Sequence, residues 1–387
     1  MRHRFTHYIF IFVGIVLAIS LVACRGEQEP QGPVPAVQWS QTFGENGDEG
    51  HSVQQTTDGG YIVCGITDTH EASYEDIWLI KTDAEGNKVW DKTFGGDGFD
   101  GGNVVQQTTD GGYIICGYTS SYGSGGRDMW LIKTDAEGNK TWDKTFGQRY
   151  RTEVANVVQQ TTDGGYILCG NIESYGSDKK DIWLIKTDGD GNKVWDKTFG
   201  GVENDEGRSV QQTEDGGYIV CGVTGESFSA LLIKTDANGG KLWDKIFEQG
   251  VGNAVQQTAD GGYVICGNTS FPLVYIKIWL IKTDANGNKI WNREFGGRIT
   301  VSGAVQQTKD GGYIVCGCEY SSGSRIWLIK TDANGDKLWD GKYGVKRWSS
   351  GGSIQQTTDS GFIVCGQTTS QRAGGESILL LKIAPEQ

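Results

Sequence analysis

Histidine is the scarcest chemically useful residue in this chain of 387 residues, which contains only His3, His7, His51 and His70. A zinc site with three histidine ligands cannot be assembled from the two that lie beyond the apolar N-terminal run, and these two show no ligand spacing. A serine hydrolase needs a base beside its nucleophile, and no Gly-x-Ser-x-Gly sequence is present. The composition therefore excludes a three-histidine metal enzyme and gives no support to a serine hydrolase.

Positive charge and helical periodicity are also in short supply. The chain carries 35 Lys and Arg against 48 Asp and Glu, a net charge of −13. Removal of Arg2 and Arg4 with a cleaved leader would change this to −15. Such an acidic chain is a poor partner for a phosphate backbone, so no nucleic-acid partner is expected. No segment shows a convincing helical period, which favours an all-β fold.

The N-terminus has the pattern of a secretory leader. Arg2 and Arg4 precede an almost unbroken apolar run at residues 8–22, and Leu21-Val22-Ala23-Cys24 closes it. The run is short for a membrane span, which needs about 20 residues. The ending resembles the lipobox of bacterial lipoproteins, and this resemblance implies cleavage before Cys24 and lipidation of its sulfur. Residues 1–23 are thus predicted to be a signal peptide; an uncleaved membrane anchor is the alternative.

Residues 24–36 are predicted to be a lipid anchor and flexible tether, because they contain Pro30, Pro33 and Pro35 and no apolar periodicity. Arg25, and no Asp, follows the cysteine, so the lipoprotein resemblance does not imply retention at an inner membrane. The expected location is extracytoplasmic, with the chain held at the cell surface or outer membrane through the lipid on Cys24.

A repeat of 45–53 residues occupies the rest of the chain. The string Val-Gln-Gln-Thr-Thr-Asp-Gly-Gly-Tyr-Ile-Val-Cys-Gly at residues 53–65 returns six times. Each unit divides into four strands, A to D. Strand A is Val-Gln-Gln-Thr, strand B is Tyr-Ile-Val-Cys-Gly, strand C is Ile-Trp-Leu-Ile-Lys-Thr, and strand D is Lys-Val-Trp-Asp-Lys-Thr-Phe. Asp-Gly turns and β-branched or aromatic residues support this division, and the period is that of a propeller blade.

The two ends of the repeat region are complementary. The last unit has strands A to C and then stops, whereas residues 39–44 match the strand D sequence at residues 90–95. Closing a ring in this way removes the exposed edges that an open array would leave. Residues 37–387 are therefore predicted to form an all-β, seven-bladed β-propeller, with the N-terminal strand completing the last blade.

The stretch Thr-Asp-Ala-Asn-Gly-Asn-Lys-Ile-Trp at residues 283–291 resembles the tryptophan-docking repeat of quinoprotein-like propellers. The whole chain is similar to secreted or lipid-anchored propeller-repeat proteins of prokaryotes. The resemblance implies that a Gly in the C–D turn and a Trp opening strand D lock adjacent blades. Quinone enzymes of that superfamily hold their cofactor with neighbouring cysteines, usually on eight blades. This chain has no Cys-Cys pair, so no cofactor is expected.

Seven cysteines occupy the same strand B position: Cys64, Cys116, Cys169, Cys221, Cys266, Cys316 and Cys365. On a seven-fold ring of radius ~12 Å, adjacent copies lie ~10 Å apart, given a strand spacing of about 4.8 Å. A disulfide needs Cα atoms within about 7 Å. We therefore expect free thiols that pack between sheets, and no obvious partner for the additional Cys318.

Carboxylates provide the alternative enzymatic hypothesis. The Asp of each A–B hairpin fits turn chemistry, and the Asp-Ala-Asn-Gly-Asn turns lack the twelfth-position acid of a familiar calcium loop, so no metal site is expected. A glycoside hydrolase needs two acids about 5–10 Å apart. The candidates lie in the D–A connectors: Glu45, Asp48, Glu49, Asp97, Asp100, Glu153, Glu203, Asp205 and Glu206. Solvated loop charge is the competing interpretation.

The loops differ in how strictly they repeat. The A–B and C–D hairpins are nearly constant, whereas the B–C loops and D–A connectors, expected on the opposite face, vary and carry aromatic residues. Two connectors combine a basic and an aromatic residue, a combination enriched at binding hot spots. The predicted partner-binding residues are accordingly Arg149, Tyr150, Arg151, Arg347 and Trp348.

The sequence therefore favours a monomeric, non-catalytic binding or scaffold module for a protein or glycan on this face. The main alternative is a carbohydrate-active hydrolase that uses the connector carboxylates. Quinone chemistry, an assembly-scaffold role and a structural coat role also stay open, since one fold hosts many activities.

Overall fold

The computed structural model describes residues 32–44, 47–69, 74–124, 126–149, 151–173, 179–225, 228–248, 250–269, 276–296, 300–320, 323–344, 349–369 and 375–386. These residues form seven four-stranded antiparallel sheets arranged in a ring, and they contain no helix. The predicted seven-bladed, all-β propeller is confirmed. Predictions for residues 1–31, including lipidation of Cys24, lie outside the described residues.

Strand A is innermost in every blade, where it contacts strand A of the next blade. The seven A strands are β2 (Glu49–Gln55), β6 (Asp100–Gln107), β10 (Val154–Gln160), β14 (Asp205–Gln212), β18 (Gly250–Gln257), β22 (Thr300–Gln307) and β26 (Ser349–Gln356). The seven B strands are β3 (Tyr61–Thr69), β7 (Tyr113–Thr119), β11 (Tyr166–Glu173), β15 (Tyr218–Thr224), β19 (Tyr263–Thr269), β23 (Tyr313–Tyr320) and β27 (Phe362–Thr369).

Strand C is buried between strands B and D, and strand D forms the outer edge. The seven C strands are β4 (Tyr74–Thr82), β8 (Asp128–Thr134), β12 (Lys180–Thr187), β16 (Ser229–Thr235), β20 (Ile278–Thr283), β24 (Ser324–Thr331) and β28 (Glu376–Ile383). The D strands of blades 1 to 6 are β5 (Lys88–Phe94), β9 (Lys140–Phe146), β13 (Lys193–Phe199), β17 (Lys241–Phe247), β21 (Lys289–Phe295) and β25 (Lys337–Tyr343).

Blade 7 takes its outer strand from the other end of the chain, as predicted. Strand β1 (Val37–Phe43) pairs antiparallel with β28, with Phe43 opposite Ile378 and Val37 opposite Ile383. Blade 7 therefore has the sheet order β1-β28-β27-β26. Because the first and last strands share one sheet, no strand edge at the join is left open for pairing with another chain.

A tryptophan from each strand D locks its blade to the next, as the family resemblance implied. Trp90 of blade 1 meets the ring of Tyr113 edge-on, with centroids 5.9 Å apart, and lies over Gly138 in the C–D turn of blade 2. A Cβ on Gly138 would lie 2.6 Å from Cζ3 of Trp90, which is too close for any side chain. The φ of Gly138 is +79°, so the turn independently favours glycine. The same contact recurs between Trp39 and Gly86 at the blade 7–blade 1 join.

Two rings of glutamine hydrogen bonds surround the central axis. The first Gln of each strand A accepts a hydrogen bond from a backbone N–H of the next blade, as Gln54 does from Gln107 at 2.6 Å. The second Gln accepts one from the preceding blade, as Gln107 does from Thr57 at 2.9 Å. Both rings close across the join, where Gln355 accepts from Gln55, and Gln55 accepts from Thr358. The repeated Gln-Gln pair therefore satisfies inner-strand backbone donors that have no strand partner.

A buried lysine joins strand C to the A–B turn in every blade. Asp58 accepts hydrogen bonds from Thr56 Oγ1 at 2.5 Å and Gly60 N at 3.0 Å, and its other oxygen lies 2.8 Å from Lys81 Nζ. The turn role predicted for these aspartates is confirmed, and the lysine partner is new. The other six pairs are Lys133–Asp110, Lys186–Asp163, Lys234–Asp215, Lys282–Asp260, Lys330–Asp310 and Lys382–Asp359.

The cysteines pack between blades, as predicted. All eight that the structure describes are buried and free of disulfides. The Sγ of Cys64 occupies the space over Gly102 in the next blade, where an added Cβ would lie 2.5 Å from the sulfur. Burial raises the pKa of the Cys221 and Cys365 thiols to about 12, so these thiols are un-ionised and unreactive at neutral pH.

Blade 7 has no C–D turn to receive the docking tryptophan of blade 6. Residues at the two ends of the described chain contact strand D of blade 6 in its place. Glu386 accepts a hydrogen bond from the indole N–H of Trp339 at 2.9 Å, the docking tryptophan of blade 6. Gly32 N donates to Leu338 O at 3.0 Å, and the Tyr343 hydroxyl donates to Pro35 O at 2.8 Å. Residues 32–36, the last part of the predicted tether, therefore lie along β25.

Candidate binding face

The two faces of the disc separate as predicted. We call the A–B and C–D turns, at residues 56–60, 83–87 and their equivalents, the constant face. A shallow cavity of about 430 Å³ on this face is lined by the A–B and C–D turns of blades 2 and 3 together. The B–C loops and D–A connectors form the variable face, where Gly98 of a connector donates to Ser121 Oγ of a B–C loop at 2.8 Å. Loops on a rigid scaffold are the usual location of binding residues.

The predicted partner-binding residues fall partly within the described structure. Arg149 is exposed on the connector into blade 3. Arg151 is half-buried, and its guanidinium donates to the carbonyl of Glu173 at the end of β11, so it also holds its own loop in place. Tyr150, Arg347 and Trp348 lie outside the described residues. Because blades 3 and 7 are separated by two blades one way and three the other, β10 and β26, the strands that follow the two connectors, lie on different sides of the ring.

Aromatic side chains are concentrated on the variable face. Among the described residues, the exposed aromatic side chains are Phe99, Tyr122 and Phe228, and all three lie in its loops or connectors. Phe99 packs edge-on against Tyr74, with ring centroids 5.1 Å apart. The Tyr122 hydroxyl donates to Gly95 O at 2.8 Å, which holds the ring against the surface. The rings of Phe99 and Tyr122 are held by these contacts, so little side-chain entropy is lost when a ligand covers them.

A stacked cation, Arg127, lies on the same face, in the B–C loop of blade 2. The Arg127 guanidinium stacks over the Tyr118 ring at 4.3 Å, and the Tyr118 hydroxyl donates to Glu75 at 3.4 Å. An arginine stacked on an aromatic ring keeps free N–H donors at its edge, a frequent arrangement at protein interfaces. The sequence predicted Arg149, Arg151 and Arg347 as the cations of this face; Arg127 was not among them, although it also stands in a variable loop.

Most connector acids are occupied by their own loops. Asp100 is buried and accepts from Gly96 N at 2.9 Å and Ser121 Oγ at 2.5 Å. Asp205, at the equivalent position before blade 4, accepts from Gly201 N at 3.0 Å. Glu206 forms an ion pair with Arg208 at 3.1 Å. These contacts favour a loop-capping role over catalysis for the acids concerned; Glu45 lies outside the described residues.

Glu153 is the connector acid with the most perturbed titration. Its side chain is fully buried, and neither carboxylate oxygen accepts a well-formed hydrogen bond from the described residues. Burial, together with repulsion from Asp128 and Glu173, raises the pKa of Glu153 to about 7, although Gln148 N–H and Arg151 oppose this. A raised pKa suits a general acid, but a fully buried carboxyl has no access to a sugar substrate.

Two acids lie close together where blades 1 and 7 meet. The hydrogen bond and charge of His51 lower the pKa of Glu49, with a smaller lowering from Glu376, whereas burial and then Glu49 raise the pKa of Glu376. Glu49 lies 3.3 Å from His51 Nε2, so this acid is engaged by a neighbour on its own strand. The ring of His51 donates through Nδ1 to Gly102 O of the next blade at 2.8 Å.

Two features relevant to metal binding and membrane insertion are absent from the described residues. Within the described ranges, no group of three or more His, Cys, Asp or Glu side chains is placed to hold a metal ion. The same residues include no helix of sufficient length and apolarity to span a bilayer. In the C–D turn, Asp83 Oδ1 accepts from the backbone N–H groups of Glu85 and Asn87, at 3.1 and 2.7 Å.

Comparison with known proteins supports the fold class of a seven-bladed β-propeller. No family model and no curated protein matches the chain. A crystal structure of a protein of unknown function from Dyadobacter fermentans DSM 18053 matches with a TM-score of 0.55 and 10% identity. It covers 91% of this chain and 100% of that one.

Sqt1 from Chaetomium thermophilum is also similar. Its structure bound to the N-terminus of ribosomal protein L10 matches with a TM-score of 0.51 and 11% identity, over 89% of this chain and 98% of that one. The structure of Sqt1 itself matches with a TM-score of 0.52 and 10% identity, over 91% and 98%. At these identities the likeness shows the fold alone.

Proposed function

We propose that this protein is a non-catalytic binding module, held outside the cytoplasm by a lipid on Cys24, that takes a protein partner on its variable face. The observation that carries the proposal is the location of the exposed aromatic side chains, since Phe99, Tyr122 and Phe228 all lie on that face. Large exposed aromatics are enriched in interface hot spots. Sqt1, with the same fold, binds the N-terminus of a ribosomal protein, which supports a protein ligand.

Site-specific photo-cross-linking tests the choice of face. A photoreactive phenylalanine analogue would replace Phe99 or Phe228 on the variable face, and Glu85 or Glu137 on the constant face as matched controls. We expect a discrete cross-linked product in the producing cells from the variable-face positions alone. Products from Glu85 and Glu137 alone would contradict the proposal. A product removed by glycosidases and resistant to proteases would identify a glycan as the ligand instead.

Alanine substitutions then test the individual residues once the partner is isolated. Trp348→Ala or Tyr150→Ala should weaken binding by about 2 kcal/mol if these residues are hot spots. Arg149→Ala should act chiefly on the association rate, because rim charges steer encounter. Glu85→Ala is the control and should leave the affinity unchanged. Full affinity in all three variable-face variants would remove these residues from the site.

Membrane attachment has a separate test. Cys24→Ser should release the protein from the membrane fraction and abolish incorporation of labelled palmitate, because two acyl chains supply most of the membrane affinity. Cys318→Ser is a matched control, since Cys318 is buried in the propeller. Continued membrane association of Cys24→Ser in alkaline carbonate would favour an uncleaved apolar anchor.

A further inference from the structure

Five of the seven blades fill the same interblade site with a tryptophan from strand C. We call this site the indole slot; the tryptophans that fill it are Trp78, Trp130, Trp183, Trp279 and Trp327. Each is at most 9% exposed. Each packs in one cluster with the phenylalanine that ends strand D of the preceding blade, namely Phe43, Phe94, Phe146, Phe247 and Phe295. Five blades therefore show that an indole ring fits this site.

An acid in strand D fixes the orientation of the indole. The indole N–H of Trp78 donates to Asp91 at 3.0 Å, and that of Trp130 donates to Asp143 at 2.9 Å. The same bond joins Trp183 to Asp196 at 3.0 Å and Trp327 to Asp340 at 2.8 Å. A buried indole N–H normally needs such an acceptor, so phenylalanine, acid and indole form one recognition unit.

Blade 4 keeps the slot but lacks the indole. Leu231 stands at the tryptophan position, while Phe199 still ends the preceding strand D and Asp244 still occupies the acid position. A cleft of about 460 Å³ opens between blades 3 and 4, lined by Phe199, Leu231, Asp244 and Ile246 among others. This volume lies within the range of about 300–1,000 Å³ that is usual for ligand sites.

Blade 7 shows that leucine alone does not create the cleft. Leu379 stands at the tryptophan position there, but the larger Tyr343 replaces the phenylalanine and packs in the same cluster. The acid position of blade 7 holds Ser40. Blade 7 has therefore lost the acceptor together with the indole, whereas blade 4 has lost only the indole.

The lining of the blade 4 cleft combines apolar and acidic side chains. Ile246 is 56% exposed and Val202 is 86% exposed, although blades 1 to 3 have threonine at the position of Ile246. The described lining residues include Glu203, Asp205 and Asp244 with one cation, Lys241, which pairs with Asp244 at 2.8 Å. Lys179, outside the lining, lies 3.4 Å from Glu203, so acid still exceeds base around the cleft. This surplus of acid favours a ligand that combines an apolar ring with positive charge.

We propose that the cleft between blades 3 and 4 binds a tryptophan side chain that a partner protein presents beside a basic residue. The ring stacks against Phe199 and Leu231, the indole N–H donates to Asp244, and the neighbouring cation faces Glu203. The identity of the occupant as a partner's side chain rests on the proposed function, whereas the affinity of the cleft for a cationic indole does not.

5-Fluorotryptamine is the probe, followed by ¹⁹F NMR on the folded protein. We expect saturable broadening with the wild type and at least a tenfold weaker effect with Leu231→Trp, because that variant restores the occupant found in five blades. Val89→Trp is the matched control, since it adds a tryptophan to the exposed part of a strand D and should bind as the wild type does. Equal binding by the wild type and Leu231→Trp, or no binding by the wild type, would overturn the proposal.

A comparison of two ligands tests whether Asp244 accepts the indole hydrogen bond, and it does not require Leu231→Trp to fold. The N1-methyl derivative of 5-fluorotryptamine lacks the indole N–H and should bind the wild type several-fold more weakly than the parent. Asp244→Ala should bind the two compounds equally. A preference for the parent compound that survives in Asp244→Ala would show that another group accepts the bond. If the protein binds the indole probe but no partner cross-link forms, the proposed function would be contradicted while the inference about the cleft would stand.

Discussion

The constant face and the variable face are built from the same repeats, but they differ in how strictly the repeats are kept. On the constant side, the Asp–Lys pair and both glutamine contacts recur in all seven blades. On the variable face, the position that caps the D–A connector changes from blade to blade. It holds Asp48, Asp100, Glu153, Asp205, Gly250, Thr300 and Ser349 in turn. Contacts that close the ring cannot vary, because each blade must fit two neighbours.

The two faces also differ in whether hydrogen bonds compensate the burial of their acids. Burial alone would raise the pKa of Asp58, but hydrogen bonds from Lys81, Thr56 and Gly60 outweigh it and lower the pKa to about 2. Glu153 on the variable face has no comparable set of donors, and its pKa is raised to about 7. Repetition has thus preserved satisfied acids on the constant face, while the variable face tolerates an acid that destabilises the fold when ionised.

The largest expected effect comes from strand β1, which closes the ring that carries both faces. Trp39→Ala removes the contact of β1 with Tyr61 and Gly86, and should lower the free energy of unfolding by about 3–5 kcal/mol. Deletion of residues 37–44 should prevent folding as a monomer. Val37→Ala, at an exposed position of the same strand, is the control. A deletion variant that melts with the parent in calorimetry would rule out the role of the split blade.

A pair of glycines sharpens the comparison within the constant face. Gly138 and Gly111 have φ values of +79° and +86°, but only Gly138 lies under a docking tryptophan. Gly111→Ala should cost about 1–2 kcal/mol from the left-handed backbone alone. Gly138→Ala should cost a further 1–3 kcal/mol, roughly the penalty for overpacking against Trp90. Equal urea midpoints for the two variants would show that docking does not require a glycine.

The smallest effect concerns Glu153, the buried connector acid whose pKa is raised, and depends on pH. Because the pKa of Glu153 is about 7 when folded and 4.5 in its ordinary state, the fold binds the proton more tightly than the unfolded chain does. Stability should therefore fall as pH rises from about 4.5 to 7. Glu153→Gln should remove that slope and gain about 3 kcal/mol at pH 8, since each pKa unit corresponds to about 1.4 kcal/mol.

Urea denaturation at pH 4.5 and pH 8 measures this difference. Glu203→Gln is the matched control, because Glu203 is half-exposed on the next connector and should change neither midpoint. The acid limb has the opposite origin: the lowered pKa of Asp58 and its equivalents contributes stability above about pH 4, which is lost as pH falls towards 2. A Glu153→Gln variant with the wild-type pH profile would mean that Glu153 does not titrate in this range.

Several site features could have been found by comparing the units of the sequence more closely. Leu231 departs from a tryptophan present in five units, and Arg127 stands in a variable loop, so both were visible in the printed residues. The capping role of Asp100 was not visible, because it depends on where Gly96 N and Ser121 Oγ lie around the connector. The side-chain and backbone donors of a loop cannot be placed from its sequence alone, because their positions depend on the blades that support the loop.

The sequence by itself determined the number of blades, the four-stranded division and the closure by β1, because these follow from a period, from turn residues and from one missing strand. It also determined that the seven strand B cysteines form no disulfides with one another, since equal positions on a ring are too far apart for such bonds. Only the tertiary structure decided what joins one blade to the next. The contacts of Gln54 with Gln107 and of Trp90 with Gly138, and the cleft between Phe199 and Leu231, involve residues 53, 48 and 32 positions apart. Such contacts depend on how two blades are packed, which local residue patterns do not specify.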